Sequence, residues 1–345
     1  MSISDRGRGG WLGAVVALLV AFSVPMHAAT IKLATLSPDG SVWITLLREA
    51  GVKIEQETAG RVQLKIYPGG VMGDDPTVMR KMRIGQLQAA ILTTGTFGNI
   101  FTDAQLYNLP MQFASFEEVD YVRERLDGVL RQGLEDNGFV CPGLAEVGMA
   151  YAMSTRPVRS ISDTSGIRFW TPSGNVGAVK AVTAFGISPV QLAITDVLTG
   201  LQTGLIDAVA TPLVGALALQ WHNQLDYILD IPFMYIYAVM ALPERSFRRL
   251  GDADQEVVRR LLGDAVRAAD ARNRADHHAV REVLQSQGLE FIQPSAAEVR
   301  EWQARAHAAS LDWVEDGIVS AANHDLLASH LADFRNASSG NKRAE

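Results

Sequence analysis

The sequence predicts an α/β protein of two lobes, with a ligand cleft between them and one long helix spanning both. Three observations carry this. Short apolar strands alternate with amphipathic helices from Thr30 onward. A unit in which a helix stops at a Gly and passes directly into an apolar strand occurs in both halves of the chain, at Gly85–Leu92 and Gly204–Thr211. A helical pattern from Asp252 to about Gln285 exceeds the usual length of a globular helix, long enough to brace two bodies.

In chain order, Arg6 and Arg8 precede the apolar run Trp11 to Val24. That run is too short to span a bilayer core of about 30 Å at about 1.5 Å per residue. It ends in Pro25-Met26-His27-Ala28-Ala29, so residues 1–29 are expected to be a secretory signal peptide, cleaved after Ala28 or Ala29. The mature protein is then expected in a bacterial periplasm. Ile31 to Leu36 reads as a strand, and Trp43, Leu46, Leu47, Ala50 and Ile54 follow helical spacing. Val62 to Tyr67 alternates with period two, a half-buried strand stopped by Pro68-Gly69-Gly70. Asp75-Pro76 opens a helix, because Pro fits its first turn. Ala89 to Leu92 is a buried strand ending at Thr93-Thr94-Gly95.

The chain is expected to cross between lobes at Phe139–Ser154 and to return at Ile231–Leu242, two extended apolar stretches. Lobe I would hold residues 30–145 and 240–270. Lobe II would hold 146–239 and 271–334 with the C-terminal helices. Ser295-Ala296-Ala297-Glu298 is a capping box opening one of these, whose inner face includes Val299, Trp302, Ala306 and Trp313. The polar stretch 335–345 is expected to be a disordered tail.

Composition narrows the function. Among 345 residues, 31 Lys and Arg face 38 Asp and Glu, a net charge of −7, so a surface that tracks nucleic-acid phosphates is not expected. One Cys, Cys141, excludes an internal disulfide and a Cys-rich metal site. No G-x-S-x-G, H-E-x-x-H or Cys/His dyad occurs. His277 and His278 point about 100° apart on a helix and read as a solvated face, while His222 reads as a satisfied core histidine. Neither a metal nor a cofactor is expected.

A binding cleft remains. In open α/β sheets ligands sit beyond the carboxyl ends of strands. Those ends carry Trp43, Thr93, Thr94, Trp170, Thr211 and Pro212 as candidate ligand-binding residues: indoles to pack on a ligand, hydroxyls to bond it, and no cation. Tyr235 is expected to line the hinge, and Arg168 is the one nearby guanidinium. An exported lyase or dehydratase is the alternative, with Asp39, Glu146 and Asp196 as its acid and base candidates.

These residues resemble the solute-binding proteins of TRAP transporters, the DctP family. The motifs are Thr58-Ala59-Gly60-Arg61-Val62, Lys65-Ile66-Tyr67-Pro68-Gly69-Gly70, Ile84-Gly85-Gln86-Leu87-Gln88-Ala89-Ala90, Ser162-Asp163-Thr164-Ser165-Gly166-Ile167-Arg168 and Leu201-Gln202-Thr203-Gly204-Leu205-Ile206-Asp207-Ala208. The resemblance implies a periplasmic binding protein-like fold that closes on a small ligand and delivers it to the membrane subunits of a permease. It also implies an Arg for a ligand carboxylate, but Trp170 and Ala150 stand where the family carries its two cations. The expected ligand is therefore largely apolar or neutral, with an organic acid as the alternative. The segments 66–74 and 80–90 look closest to the branch linked with tetratricopeptide-repeat partner proteins.

Overall fold

A computed structural model describes residues 28–341, apart from the side chains of residues 276–278, 340 and 341. Of the signal peptide expected over residues 1–29, residues 1–27 lie outside the described residues, as does the face expected at His277 and His278.

The chain begins β1 (Ala29–Thr35), α1 (Val42–Glu57), β2 (Val62–Tyr67), α2 (Asp75–Arg83) and β3 (Ala89–Thr93). Local chemistry sets these boundaries. Ser41 caps α1 by accepting from the Ile44 N–H, and Ile44, Leu47, Ala50 and Ile54 make its buried stripe. Burying each large aliphatic side chain in that stripe contributes about 1.5–3 kcal/mol. Asp74 caps α2, with Pro76 in its first turn. Gly85 and Gly204 close their helices at φ 78° and 67°, the left-handed region where a side chain costs most.

There follow α3 (Phe116–Asp136), β4 (Phe139–Ser154), β5 (Arg168–Pro172), α4 (Val176–Ala184), β6 (Ser188–Leu192), α5 (Val197–Gln202), β7 (Ala208–Pro212), α6 (Leu213–Ala218) and β8 (Tyr227–Leu229). The chain then runs through β9 (Met234–Pro243), α7 (Glu244–Phe247), α8 (Asp252–Ser286), β10 (Glu290–Ile292), α9 (Ala296–Glu315) and α10 (Ala321–Asn341). The capping box at Ser295 and Glu298 forms with both of its bonds.

One ten-stranded sheet joins the two lobes, in the order β2-β1-β3-β9-β4-β7-β5-β6, with β8 and β10 beside β4. Strands that alternate with helices along a chain favour parallel pairing. Those nearest the sheet's edges are parallel, whereas β9 and β4 run antiparallel to each other and to their outer neighbours β3 and β7. The reversal follows from the two crossings: one strand leaves the first lobe, the other returns, and they lie side by side. Their register slips between Val140 and Gly143 and between Glu146 and Gly148.

Three apolar clusters fill the fold. One packs β1, α1 and the start of α8 on the first lobe. A second packs β5, α4 and α9 on the other. A third, with Trp170, Trp221 and Trp313, runs through both. α8 touches α1, β4 and α6, and so spans the two lobes. Residues 335–341, expected to be disordered, instead continue α10. The Arg335 Nε donates to Glu118 at 2.7 Å, which ties this turn to α3.

Candidate functional site

A cavity of about 150 Å³ lies where the strand ends of the two lobes meet. The first lobe supplies Thr93 and Thr94 at the end of β3, and the second supplies β5, α4, α9 and the end of β7. A smaller cavity of about 70 Å³ adjoins it and shares Thr93, Trp170, Pro172, Asn175 and Ile194.

β5 is central because its buried run Phe169-Trp170-Thr171 enters the cavity wall between β7 and β6. Trp170 is 7% exposed, donates its indole N–H to the Leu192 carbonyl at 3.0 Å and meets Trp221 edge-on at 5.2 Å. Its donor is spent within the protein, and its ring is what the cavity meets. Thr93 donates its N–H and hydroxyl to the same Asp75 oxygen, at 2.8 and 2.6 Å. Thr94 donates to Asn108, which in turn donates to the Tyr235 carbonyl. Thr211 and Pro212 complete the wall.

Three sequence candidates sit elsewhere. Trp43 packs half-buried against the core of the first lobe. Arg168 lies at the exposed start of β5, and its guanidinium forks onto Asp207 at 2.8 and 2.6 Å. The alternation of strand residues does not carry it inward: at the edge of β5 the nearest solvated carboxylate captures it. Tyr235 lies behind the cavity, donating to Glu146 at 2.9 Å and accepting from Arg123 at 3.0 Å, while its neighbour Tyr237 reaches the wall. His222 is 8% exposed, with Nδ1 3.1 Å from the Ala216 carbonyl.

The acids considered for catalysis are also outside the cavity. Asp39 pairs with Arg48 on the surface and Asp196 is exposed. Glu146, 1% exposed, receives two bonds from the Arg274 Nε, at 2.8 and 3.0 Å. It belongs to a buried network with Arg123, Asp127 and Asp270 that stitches α3 and α8 to the crossing strands. Burial pushes the Asp270 carboxyl up to about 6, against the opposing charge of Arg123.

Three buried side-chain polar atoms among the described residues have no partner: Asp75 Oδ1, Thr171 Oγ1 and Trp313 Nε1. The residues that carry them line these two cavities, Asp75 the smaller and Thr171 and Trp313 the larger. Leaving such an atom unmet costs about 1–3 kcal/mol, so their coincidence marks a place where something else makes the bonds. Sequence reasoning read Trp313 as one of a core stripe and Asp75 as part of a helix start, and left Thr171, next to Trp170 at a strand end, out of the ligand-binding candidates. One signal for Asp75 was present: with Asp74 spent on capping α2, the next acid turns about 100° away, toward the core. α4 brings its positive end to the cavity, since its N-cap Asn175, which accepts from the Ala178 N–H at 3.0 Å, and Ala178 itself line the wall.

This lobe-to-lobe cavity fits a protein built to hold a small molecule, and the whole sequence agrees. Residues 33–315 match the family described as bacterial extracellular solute-binding protein, family 7 (DctP). The chain belongs to that family.

A DctP-family relative, a solute-binding protein of Roseobacter denitrificans, is 24% identical over 284 residues, 82% of this chain and 87% of its own length. Its TRAP periplasmic solute-binding structure, with bound L-galactonate, superposes at TM-score 0.78 over 87% of this chain and 98% of that one, at 22% identity. An extracytoplasmic solute receptor of Bordetella pertussis, binding pyroglutamic acid, gives TM-score 0.80 at 20% identity over 88% and 100%. A TRAP periplasmic solute-binding protein of Sulfurospirillum deleyianum with bound succinate gives 0.80 at 16% identity over 87% and 98%. These likenesses extend the two-lobed DctP fold to this chain. Among the described residues, no helix is long and apolar enough to cross a membrane.

Proposed function

We propose that this protein is the periplasmic ligand-capturing subunit of a TRAP-type transporter, and that its ligand is a small organic acid. The observation that carries the ligand class is the pair of unpartnered donors, the Trp313 indole N–H and the Thr171 hydroxyl, in the wall beside the N-terminus of α4. A largely apolar ligand, the first expectation from Trp170, would bury these atoms unmet at about 1–3 kcal/mol each. An acid oxygen would meet them, and the acids named for the three relatives support the same class.

The carboxylate would be held without an Arg. Indole and hydroxyl donors, with the positive end of the α4 dipole behind them, would replace the guanidinium, as helix N-termini do for other anions. Trp170 would supply the flat apolar wall on which the carbon skeleton rests. Lobe closure would then present the loaded protein to the permease subunits in the membrane. The likeness of segments 66–74 and 80–90 to one branch of the family supports a tetratricopeptide-repeat partner, testable by copurification.

A neutral ligand is the second reading, favoured by one observation: neither Lys nor Arg lines either cavity. Titration calorimetry with matched acids and their primary amides separates the two. Acid binding at least tenfold tighter than amide binding supports the proposal, whereas equal binding, or preference for amides, supports the neutral ligand. Trp313→Phe removes the donor together with the pyrrole half of the indole, so it is expected to weaken acid binding about tenfold while lowering Tm by a few degrees, with the loss confined to acids and absent for their amides. Unchanged affinity would take the indole N–H out of the site.

A further inference from the structure

We propose that Asp75 is a second anchoring point in the cleft, a subsite for a proton-donating group of the ligand and above all for an ammonium. The inference rests on the acid-binding reading above and extends it: the ligand class becomes small carboxylic acids that also carry an amino group.

Asp75 stands in the first turn of α2, on the first lobe, and its side chain turns inward to 6% exposure. One carboxylate oxygen, Oδ2, accepts both donors of Thr93, which fixes the group's orientation and its role as an acceptor. The other, Oδ1, is buried and has no partner. Asp75 is one of the residues lining the smaller cavity, which opens beside the ring of Trp170 and shares five residues with the larger one. A buried carboxylate oxygen without a partner is among the most costly polar groups to leave unmet.

The missing donor is not supplied by the protein. Lys, Arg and His are absent from the lining of the smaller cavity, and Asp74, its other acid, is occupied with capping α2. A donor must then arrive with the ligand. Two features favour a cationic one: Asp75 and Asp74 together make this compartment negative, and the face of an indole attracts an ammonium. The donors Trp313 and Thr171 belong to the second lobe. The acceptor Asp75 belongs to the first. A zwitterionic ligand would thus connect the two lobes, its carboxylate on one and its ammonium on the other, and its binding would itself draw them together.

The test uses matched trios of small acids, each an α-amino acid, its α-hydroxy analogue and the unsubstituted acid, titrated calorimetrically against the protein and Asp75→Asn. Asparagine keeps an acceptor for Thr93 but turns an N–H toward the cavity. At least one amino member is expected to bind ten times or more tighter than its two analogues. In Asp75→Asn that preference should vanish, with binding of the unsubstituted acid within threefold of the parent. If Asp75→Asn does not fold, the preference within the trios on the parent protein decides alone. Hydroxy or unsubstituted acids binding as tightly as amino acids would overturn the subsite and leave the acid reading standing. The matching amines without a carboxyl group are titrated alongside, and their binding as tightly as the amino acids would uphold the subsite and overturn the acid reading. Binding of none of the panel would overturn both.

Discussion

At the scale of single residues, the site is defined by what its polar atoms lack. Trp170, the residue that the sequence singled out, has its indole N–H satisfied by Leu192, while Trp313, 143 positions later in the chain, does not. Both sit in apolar stripes, and a stripe shows which face is buried without showing whether a ring nitrogen finds a partner. Arg168 shows the converse. It was the single cation near the strand ends, and its fork onto Asp207 makes it a surface ion pair, a kind that solvent screens and that contributes little to stability. The pair holds the Asp207 carboxyl below its ordinary range, chiefly through the Arg168 hydrogen bond. Arg168→Ala is therefore expected to leave ligand affinity within twofold in calorimetry; a larger loss would bring the guanidinium back into the site. Gly177 carries the opposite constraint. A Cβ there would come within 2.4 Å of Gln105 Oε1 and 2.8 Å of the Trp313 ring. Gly177→Ala should accordingly cost about 1–3 kcal/mol in urea unfolding and disturb the indole it touches.

At the scale of elements, the local patterns were legible wherever they concerned one helix or strand. The period-two run Val62–Tyr67 is β2, the spacing from Ile44 to Ile54 is the inner face of α1, and the Ser295 capping box opens α9. Pairing between distant segments was not legible: nothing in the residues of β4 and β9 says that they lie antiparallel, because their contact joins positions far apart in the chain. The buried ions beside them were equally hidden, since Arg123, Glu146 and Asp270 come from three separate elements. That network gives a pH dependence with a definite sign. The Asp270 carboxyl is raised from 3.8 to about 6 in the folded protein, with burial as the main cause. Between those values the folded state keeps a proton that the unfolded chain releases, so this stabilisation is complete below the lower value and is lost as pH rises through the upper one. Asp270→Asn cannot titrate. Its stability relative to the parent should rise between pH 4 and pH 7, by about 2–3 kcal/mol at 1.36 kcal/mol per unit, in urea unfolding at each pH. A difference that is flat or falls over this range would contradict the assignment.

At the scale of the whole molecule, the lobes meet through loops trimmed for contact. A Cβ on Gly95 of the first lobe would fall 2.3 Å from the Asn175 side chain of the second, and one on Gly174 would lie 3.7 Å from Pro76. Gly95→Val should leave each lobe's core intact yet keep the cleft from shutting. The expected result is an unchanged Tm, ligand binding weakened by tenfold or more, and a radius of gyration by small-angle scattering that ligand no longer reduces. Parent-like compaction would show that this approach does not limit closure.

The continuous sheet also bears on how such a protein changes over generations. Two bodies tied by loose linkers can trade a domain by one cut and one join. Here β4 and β9 are each shared along their length, so any segment exchanged between relatives must carry both strands and the pairing that runs from Phe139 against Pro243 to Ala150 against Met234. In the cleft proposed above, specificity is then expected to respond more readily to point changes at Asp75, Trp170, Thr171 and Trp313 than to recombining lobes. A chimera split within β4 is expected to inherit neither parent's ligand, because it inherits neither parent's ladder.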